Sequence, residues 1–158
     1  MDSLALAGLL LAVLTAASTG TLFRPGEWYA RLDKPAWTPP NWLFPVAWTL
    51  IYVAMAFAAW RVAVRPSPAA SAGLAFWCCQ LVLNAVWSPI FFGLRRLGTA
   101  AVVIGALLLA LVATLLLFTR VDALAAWLLV PYVAWVGYAS ALNLAIWLRN
   151  PGAGPTRV

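Results

Sequence analysis

The chain has 158 residues, of which 65% are hydrophobic and only 9% are charged. Because soluble domains carry about a quarter charged residues, this composition argues against a soluble fold and predicts an integral membrane protein in a lipid bilayer. The net charge is +6, but the basic residues stand singly or as the pair Arg95-Arg96 beside apolar segments. That pattern is typical of topology determinants and does not indicate binding to nucleic acid.

The sequence lacks the residues that several classes of chemistry require. Histidine is absent, which removes the most common metal ligand and general base. The carboxylates stand at the ends of apolar segments, so no ionisable pair at mid-membrane depth supports a proton relay or an ion-coupled pump. Cys78 and Cys79 are neighbours in an apolar segment, and we interpret them as small buried hydrophobes. We therefore expect no catalytic residue, no metal and no cofactor.

Five apolar segments are long enough to cross a bilayer, which takes about 20 residues. The predicted helices cover residues 4–23, 42–64, 69–92, 99–118 and 124–148. The sequence thus predicts an all-α bundle of five transmembrane helices in a single membrane domain. The first segment also has features of a signal peptide. Because it spans a full membrane thickness and is preceded by Asp2 without a basic residue, we expect it to be retained.

Small residues recur every fourth position along the first helix, at Gly8, Ala12, Ala16 and Gly20. Such a stripe lets another helix approach closely. Its spacing fits packing within the monomer and packing between subunits equally well. We expect a homodimer, formed through this helix or through small residues of the third helix, namely Ala69, Ala72 and Gly73.

A loop rich in proline and tryptophan joins the first two helices. Its residues 34–42 read Lys-Pro-Ala-Trp-Thr-Pro-Pro-Asn-Trp, and the prolines make this backbone stiff. A short helical turn is expected at residues 27–32, and Asn41 is expected to cap the second helix. Tryptophan also collects in aromatic belts at the membrane surface, but a belt needs no rigid backbone. We interpret the loop as a lid over one end of the bundle.

Polar and aromatic residues share one face of the third helix, where Trp77, Gln80, Asn84 and Trp87 recur at helical spacing. Amides are costly against lipid, so this face points inward. Asn84 fits an interhelical hydrogen bond and a ligand contact equally well. The fifth helix has a comparable face, formed by Tyr132, Trp135, Ala139, Leu142 and Asn143. Aromatic surface, a few amides and basic residues near the membrane surface predict binding of flat, hydrophobic, partly anionic molecules.

Basic residues are distributed unevenly between the two ends of the predicted bundle. One end has Arg61, Arg65 and Arg120, whereas the other has Arg24, Arg31, Lys34, Arg95, Arg96, Arg149 and Arg157. By the positive-inside rule, we expect the proline-rich loop and the C-terminus to be cytoplasmic and the N-terminus to lie outside.

A series of motifs along almost the whole chain resembles the TspO/MBR family of tryptophan-rich sensory proteins, which includes the mitochondrial benzodiazepine-type receptor. They are Trp28-Tyr29, the loop motif at residues 34–42, Asn-Ala-Val-Trp-Ser-Pro-Ile-Phe-Phe-Gly at residues 84–93, Pro-Tyr-Val-Ala-Trp at residues 131–135, and Leu142-Asn143. The resemblance implies a bacterial five-helix membrane protein, usually dimeric. It implies a receptor or carrier for tetrapyrroles such as protoporphyrin IX and haem-type porphyrins, acting in transport or regulation of tetrapyrrole metabolism.

The resemblance also implies a ligand pocket under the first loop, which in this family takes porphyrins, sterols and isoquinoline-carboxamide drugs. The ligand-binding residues it implies here are Trp37, Trp42, Trp48, Asn84, Trp87, Trp135, Ala139, Leu142 and Asn143. Leu144 stands where animal members have the tyrosine of a cholesterol motif, which argues against sterol binding by that route. Thr99 stands where they have a pocket tryptophan. Light-dependent degradation of bound porphyrin and a scaffold role are the alternative functions.

Overall fold

The computed structural model describes residues 2–23 and 25–153, and the regular elements in those ranges are all helical. Arg24 and Arg157, two residues of the charge count, lie outside them. In chain order the elements are α1 (Asp2–Leu22), α2 (Glu27–Arg31), α3 (Leu43–Ala63), α4 (Pro68–Ser88), a π-helical turn (Pro89–Gly93), α5 (Leu97–Phe118) and α6 (Ala123–Arg149).

Five of these helices are long and apolar enough to cross a membrane: α1, α3, α4 with its π-helical turn, α5 and α6. This confirms the predicted all-α bundle of five spanning helices. α4 packs against α1, α3 and α5, while α6 packs against α3 and α5. The short α2 lies within the loop between α1 and α3, where the sequence predicts a helical turn.

Small residues in the core allow the helices to pack closely. Ala56, Ala58 and Ala59 on α3 are fully buried. On α4, a Cβ atom added at Gly73 would lie 2.9 Å from Cδ1 of the buried Phe118 on α5. Gly73 is therefore used within the monomer, and it is not available to a second subunit.

α1 is the least buried of the spanning helices, with 11% of its span buried against 28–33% for the other four. The predicted stripe divides between two environments. Ala16 is buried in the monomer core, whereas a Cβ atom at Gly8 or Gly20 would meet nothing within 4 Å. The ends of the stripe are therefore open to another helix, and its middle is not.

The prediction that Cys78 and Cys79 are buried is wrong. Both thiols are exposed on the outside of α4, where the bilayer surrounds the bundle. Cysteine is apolar enough to face lipid, so an apolar segment does not distinguish a core position from a lipid-facing one. The inward face of this helix is instead occupied by Trp77, Gln80 and Asn84, which are buried.

The predicted cap of the second spanning helix is also wrong. Trp42, not Asn41, precedes the first turn of α3, and its side chain makes no capping hydrogen bond. The helix begins instead from a backbone turn, in which the amide of Leu43 donates to the carbonyl of Pro40 over 3.0 Å. The stiff Pro39-Pro40 segment thus starts the helix without a side-chain cap.

The end of α4 is continued by a π-helical turn at Pro89–Gly93. Proline has no backbone N–H, so Pro89 removes one helical hydrogen bond. The amide of Leu94 then donates to the carbonyl of Pro89 over 2.8 Å, and Arg95 adopts a positive φ of 56°. This wider turn presents Phe91 and Phe92 to the loop that carries α2.

An ion cluster joins α3 to α6 at the bundle end opposite the loop. Asp122 caps α6 by accepting from the amide of Ala125 over 2.9 Å. Its carboxylate also accepts from Arg61 over 2.8 Å and lies 2.9 Å from a guanidinium nitrogen of Arg65. The hydrogen bond from Arg61 holds the pKa of Asp122 below its usual range, although burial of the carboxylate acts in the opposite direction.

Candidate ligand site

The N-terminal half of the loop is attached to the bundle by aromatic packing. Tyr29 is buried, and its ring lies 6.1 Å from Phe91 and 5.5 Å from Phe92, edge to face. The ring centres of Trp28 and Phe91 lie 6.1 Å apart, and the guanidinium carbon of Arg95 lies 5.8 Å from the centre of the Trp28 ring. The π-helical turn therefore forms the surface on which α2 rests.

Lys34 ends α2. Its ammonium donates to the carbonyls of Tyr29, Ala30 and Leu32 over 2.8, 3.0 and 2.9 Å. It also lies 5.0 Å from the centre of the Tyr29 ring. Since an ammonium has three N–H donors, all of them are used, and Lys34 holds the loop together without a donor left for a ligand carboxylate.

A second attachment joins the loop to the C-terminal end of α6. The amide of Asp33 donates to Oδ1 of Asn150 over 3.0 Å, and Nδ2 of Asn150 donates to the carbonyl of Asp33 over 2.9 Å. This pair of bonds imitates the pairing of two strands. It fixes the backbone just before the prolines of the loop.

The third attachment is the contact between Trp37 and Tyr138. The hydroxyl of Tyr138 donates to the carbonyl of Trp37 over 2.6 Å, and the two rings lie 5.5 Å apart, edge to face. Trp37 remains about half exposed. The loop therefore reaches across to α6 at Tyr138.

Aromatic rings continue from this contact between α3 and α6. Trp135 lies 6.1 Å from Tyr138 and 5.8 Å from Phe44. One helical turn further, Trp48 stacks on Tyr52 at 5.3 Å and meets Tyr132 edge to face at 5.9 Å. We call this group the aromatic site; its members are Trp37, Phe44, Trp48, Tyr52, Tyr132, Trp135 and Tyr138.

Three hydrogen bonds link the aromatic site to α4. The Tyr52 hydroxyl donates to Oδ1 of Asn84 over 2.9 Å, Nδ2 of Asn84 donates to the Tyr132 hydroxyl over 2.9 Å, and that hydroxyl donates to Oε1 of Gln80 over 2.8 Å. Of the two roles left open for Asn84, the structure shows the interhelical hydrogen bond. Asn84 is only 6% exposed, and both polar atoms of its amide are bonded to tyrosines.

Trp87, Leu142 and Asn143 belong to a neighbouring packed group. The indole of Trp87 donates to Oδ1 of Asn143 over 3.0 Å, and Nδ2 of Asn143 donates to the carbonyl of Leu97 over 3.0 Å. Leu142 is buried in the same cluster as Tyr29 and Phe91. These residues join α4, α5 and α6 and support the surface on which α2 rests.

Three of the predicted ligand residues, Trp37, Trp48 and Trp135, are members of the aromatic site, and Asn84 is hydrogen-bonded to two other members, Tyr52 and Tyr132. Ala139 is half-buried, one turn after Trp135, and packs against the core. Trp42 is exposed at the start of α3 and stands apart from the site. Members of the aromatic site that are not among the predicted ligand residues are Phe44, Tyr52, Tyr132 and Tyr138, although Tyr132 is on the predicted face of the last helix. Their spacing of three or four residues from Trp48 or Trp135 is the signal that relates them to the site.

The rings of the aromatic site pack in two groups, one formed by Trp37, Tyr138, Trp135 and Phe44 and the other by Tyr52, Trp48 and Tyr132. A flat ligand that stacks within either group therefore requires its rings to separate. A shallow depression on the outer side of α3, lined by Pro45, Val46, Thr49 and Leu50, shares no residue with the site. In the described ranges, no group of three His, Cys, Asp or Glu side chains is placed to hold a metal ion. The chemistry offered by the site is stacking and hydrogen bonding.

Replacement of Tyr138 by phenylalanine should release the prolines of the loop without releasing α2. We expect hydrogen exchange to become roughly fivefold faster at the amide of Thr38, the effect of losing one hydrogen bond of ~1 kcal/mol. Exchange within α2 should not change, because α2 is held by Lys34 and the π-helical turn. A loop that exchanges as in the wild type, or that loosens equally throughout, would show that Tyr138 does not hold it.

The chain is similar to known proteins along almost its whole length. The profile of the TspO/MBR family matches residues 4–148. Protein CrtK of Rhodobacter capsulatus is 48% identical over 147 residues, covering 92% of each chain. The tryptophan-rich sensory protein of Cereibacter sphaeroides is 44% identical over 80% of this chain and 79% of its own. The human translocator protein is 37% identical over 92% of this chain and 89% of its own. The chain therefore belongs to the TspO/MBR family, and it is a multi-pass membrane protein.

Proposed function

We propose that this protein is a membrane receptor or carrier for tetrapyrroles and similar flat, hydrophobic ligands, and that it serves their transport or the regulation of their metabolism. The observation that carries the proposal is the aromatic site between α3 and α6 with the loop attached across it at Tyr138. Tryptophan faces such as those of Trp48 and Trp135 stack well on a porphyrin ring. Membership of the family supports a binding role in the bilayer.

Titration of the detergent-solubilised protein with protoporphyrin IX tests the proposal. Quenching of tryptophan fluorescence should saturate at one porphyrin per chain. Quenching that rises linearly, without saturation, would show partition into the detergent. That result would favour a scaffold protein without a ligand site.

Photochemical breakdown of bound porphyrin is the second candidate function. It is favoured by the position of Trp37, Trp48 and Trp135, since all three indoles belong to the aromatic site and tryptophan is a feasible electron donor to an excited porphyrin. Illumination of the complex should then yield products that a Trp48→Phe variant forms more slowly. Identical product spectra from both proteins would reject the enzyme.

Among other ligands, isoquinoline-carboxamide drugs are flat and fit the same proposal. Sterol binding through the last helix is not supported by its surface. Leu144, which occupies the position of the motif tyrosine in animal members, is exposed on the outside of α6. A sterol there would meet the aliphatic side chain of Leu144 in place of the tyrosine hydroxyl of the motif.

We expect the protein to lie in a bacterial membrane with its N-terminus outside and its C-terminus in the cytoplasm. The test is labelling of single cysteines by a membrane-impermeant reagent in intact cells, after both native cysteines are replaced by alanine. Thr119→Cys, in the connection between α5 and α6, should be labelled from outside, whereas Gly152→Cys should be labelled only after lysis. The reverse pattern would overturn the orientation.

A homodimer through α1 is the expected assembly. The structure restricts the test to the open ends of the small-residue stripe, because leucine at Ala16 would disturb the monomer core. Gly8→Leu should weaken dimers in lipid and detergent, and Ala72→Leu on the exposed side of α4 tests the alternative helix. Full dimers in the Gly8 variant together with monomers in the Ala72 variant would move the interface to α4.

A further inference from the structure

Two buried donors on the inward face of α4 have no hydrogen-bond acceptor among residues 2–23 and 25–153. They are the indole nitrogen Nε1 of Trp77 and the amide nitrogen Nε2 of Gln80. Trp77 is 1% exposed and Gln80 is fully buried. Buried N–H groups without a partner are rare because they lose their bonds to water and gain nothing in return. Both donors lie one helical turn apart, at the end of the hydrogen-bonded chain that begins at Tyr52.

That chain has a direction. Tyr52 donates to Asn84, Asn84 donates to Tyr132, and Tyr132 donates to Oε1 of Gln80. The donors follow one another from Tyr52 on α3 to Asn84 on α4, from Asn84 to Tyr132 on α6, and from Tyr132 back to Gln80 on α4. The Tyr52 hydroxyl therefore donates its only hydrogen to Asn84. At the other end of the chain, Nε2 of Gln80 is a donor without an acceptor.

The same four side chains can make the same three bonds in the opposite direction. A side-chain amide exchanges its oxygen and nitrogen by rotation about its last torsion angle, and a hydroxyl rotates freely. Gln80 then donates to Tyr132, Tyr132 to Asn84, and Asn84 to Tyr52. Each hydrogen stays on the atom that carries it, so no proton is transferred.

Reversal changes both ends of the chain. At α4, Nε2 of Gln80 gains Tyr132 as its acceptor. Oε1 of Gln80 then occupies the former position of Nε2, on the helix face that also carries Trp77, and becomes the unpaired atom. A buried carbonyl without a partner is less costly than a buried N–H. At the other end, Tyr52 accepts from Asn84, and its hydroxyl hydrogen is released into the aromatic site, where the ring stacks on Trp48.

We propose that the chain Tyr52–Asn84–Tyr132–Gln80 reverses on ligand binding, and that a carbonyl or carboxylate oxygen of the ligand selects the reversed direction by accepting the Tyr52 hydroxyl. The inference rests on the proposed function, because it names the polar contact of the same site. It makes Tyr52 the residue that favours tetrapyrroles with acceptor groups over purely alkyl ones, while Gln80 tunes that preference without touching the ligand.

Two porphyrins separate this inference from the proposed function. Protoporphyrin IX carries carboxylates, whereas etioporphyrin I carries only alkyl groups. Tyr52→Phe should weaken protoporphyrin binding roughly three- to tenfold, the range of one neutral hydrogen bond, and should leave etioporphyrin binding unchanged. Equal effects on both porphyrins, or on neither, would overturn the role of Tyr52. A wild type that binds neither porphyrin would instead overturn the proposed function itself.

Gln80→Met tests the reversal at a distance from the ligand. Methionine has a similar length and no donor or strong acceptor. In the observed direction Tyr132 would then have no acceptor, so the variant favours the reversed direction, in which Tyr132 donates to Asn84. Protoporphyrin affinity should therefore rise severalfold while etioporphyrin affinity stays constant. Unchanged or weaker protoporphyrin binding, in a variant with wild-type melting behaviour, would contradict the inference. A melting temperature well below that of the wild type would also contradict the inference, because a variant that removes an unpaired buried donor should not be destabilised.

Discussion

Replacing Asp122 by alanine should lower the stability of the folded bundle by about 2–3 kcal/mol, the sum expected for a lost helix cap and a partly buried ion pair. The Asp122 side chain is 6% exposed and that of Arg61 is 23% exposed, so this pair is less screened than a surface pair. Removal of the carboxylate also leaves Arg61 and Arg65 close together. The melting temperature should fall by roughly 5–10 °C for a chain of this size.

Two further variants separate the contributions. Asp122→Asn keeps a capping oxygen but loses the charge, so its melting temperature should lie between those of the wild type and Asp122→Ala. Asp33→Ala is the matched control, because its carboxylate makes a 3.7 Å exposed pair with Arg149, and such pairs contribute little. A control that melts as low as Asp122→Ala would show that any lost carboxylate has this effect and would contradict the special role of the cluster.

The same ion cluster predicts that the folded bundle loses stability in acid. The pKa of Asp122 in the folded protein lies below its ordinary value of 3.8, chiefly because Arg61 donates to the carboxylate. Its contribution is therefore complete above pH 3.8 and is lost as the pH falls through the lower folded pKa. The melting temperatures of the wild type and of Asp122→Asn should converge below that pH, and a constant difference between them would contradict the ion pair.

Ala139→Thr should weaken porphyrin binding roughly tenfold or more while the bundle remains folded. Ala139 is half-buried on α6, one turn after Trp135 and in contact with the core. Extra atoms in a filled site cost ~1–3 kcal/mol through strain, and ~1.4 kcal/mol is one decade in affinity. The threonine hydroxyl can bond the preceding helical turn, as Ser140 does to Val136 over 2.7 Å, so folding should survive.

The matched control is Ala141→Thr, which makes the same change on the exposed side of α6. Affinity and melting temperature should be measured on the same preparations. A lowered melting temperature with unchanged affinity would mean that Ala139 only permits close helix packing. That result would remove Ala139 from the ligand site.

The spanning helices were predictable because length and hydropathy identify a transmembrane segment without knowledge of its neighbours. Helical periodicity likewise placed Gln80 and Asn84 on an inward face, where the structure buries them. Their hydrogen bonds to Tyr52 and Tyr132 were not predictable, since these tyrosines lie on α3 and α6, and the choice of facing helices depends on packing. The burial of Cys78 and Cys79 was mispredicted because lipid and protein core select similar side chains.

The loop shows the same limit. Its prolines predict a stiff backbone, but the residues that hold it, Asn150 and Tyr138, lie more than a hundred positions away in sequence. A lysine such as Lys34 could bind a ligand carboxylate, but its ammonium donates to the backbone carbonyls of Tyr29 and Ala30 in α2 and of Leu32 just after it. Residue type indicated the chemistry available, whereas the fold decides whether a protein group or a ligand uses it.

Protoporphyrin titration of two tryptophan variants tests the ligand site most directly. Trp48 lies in the aromatic site, whereas Trp127, on α6, is 70% exposed and faces outward. Stacking on an aromatic ring contributes ~1–3 kcal/mol, so Trp48→Leu should bind protoporphyrin IX roughly tenfold or more weakly than the wild type. Trp127→Leu should bind it as the wild type does. Equal affinities for the two variants would contradict a tetrapyrrole site between α3 and α6.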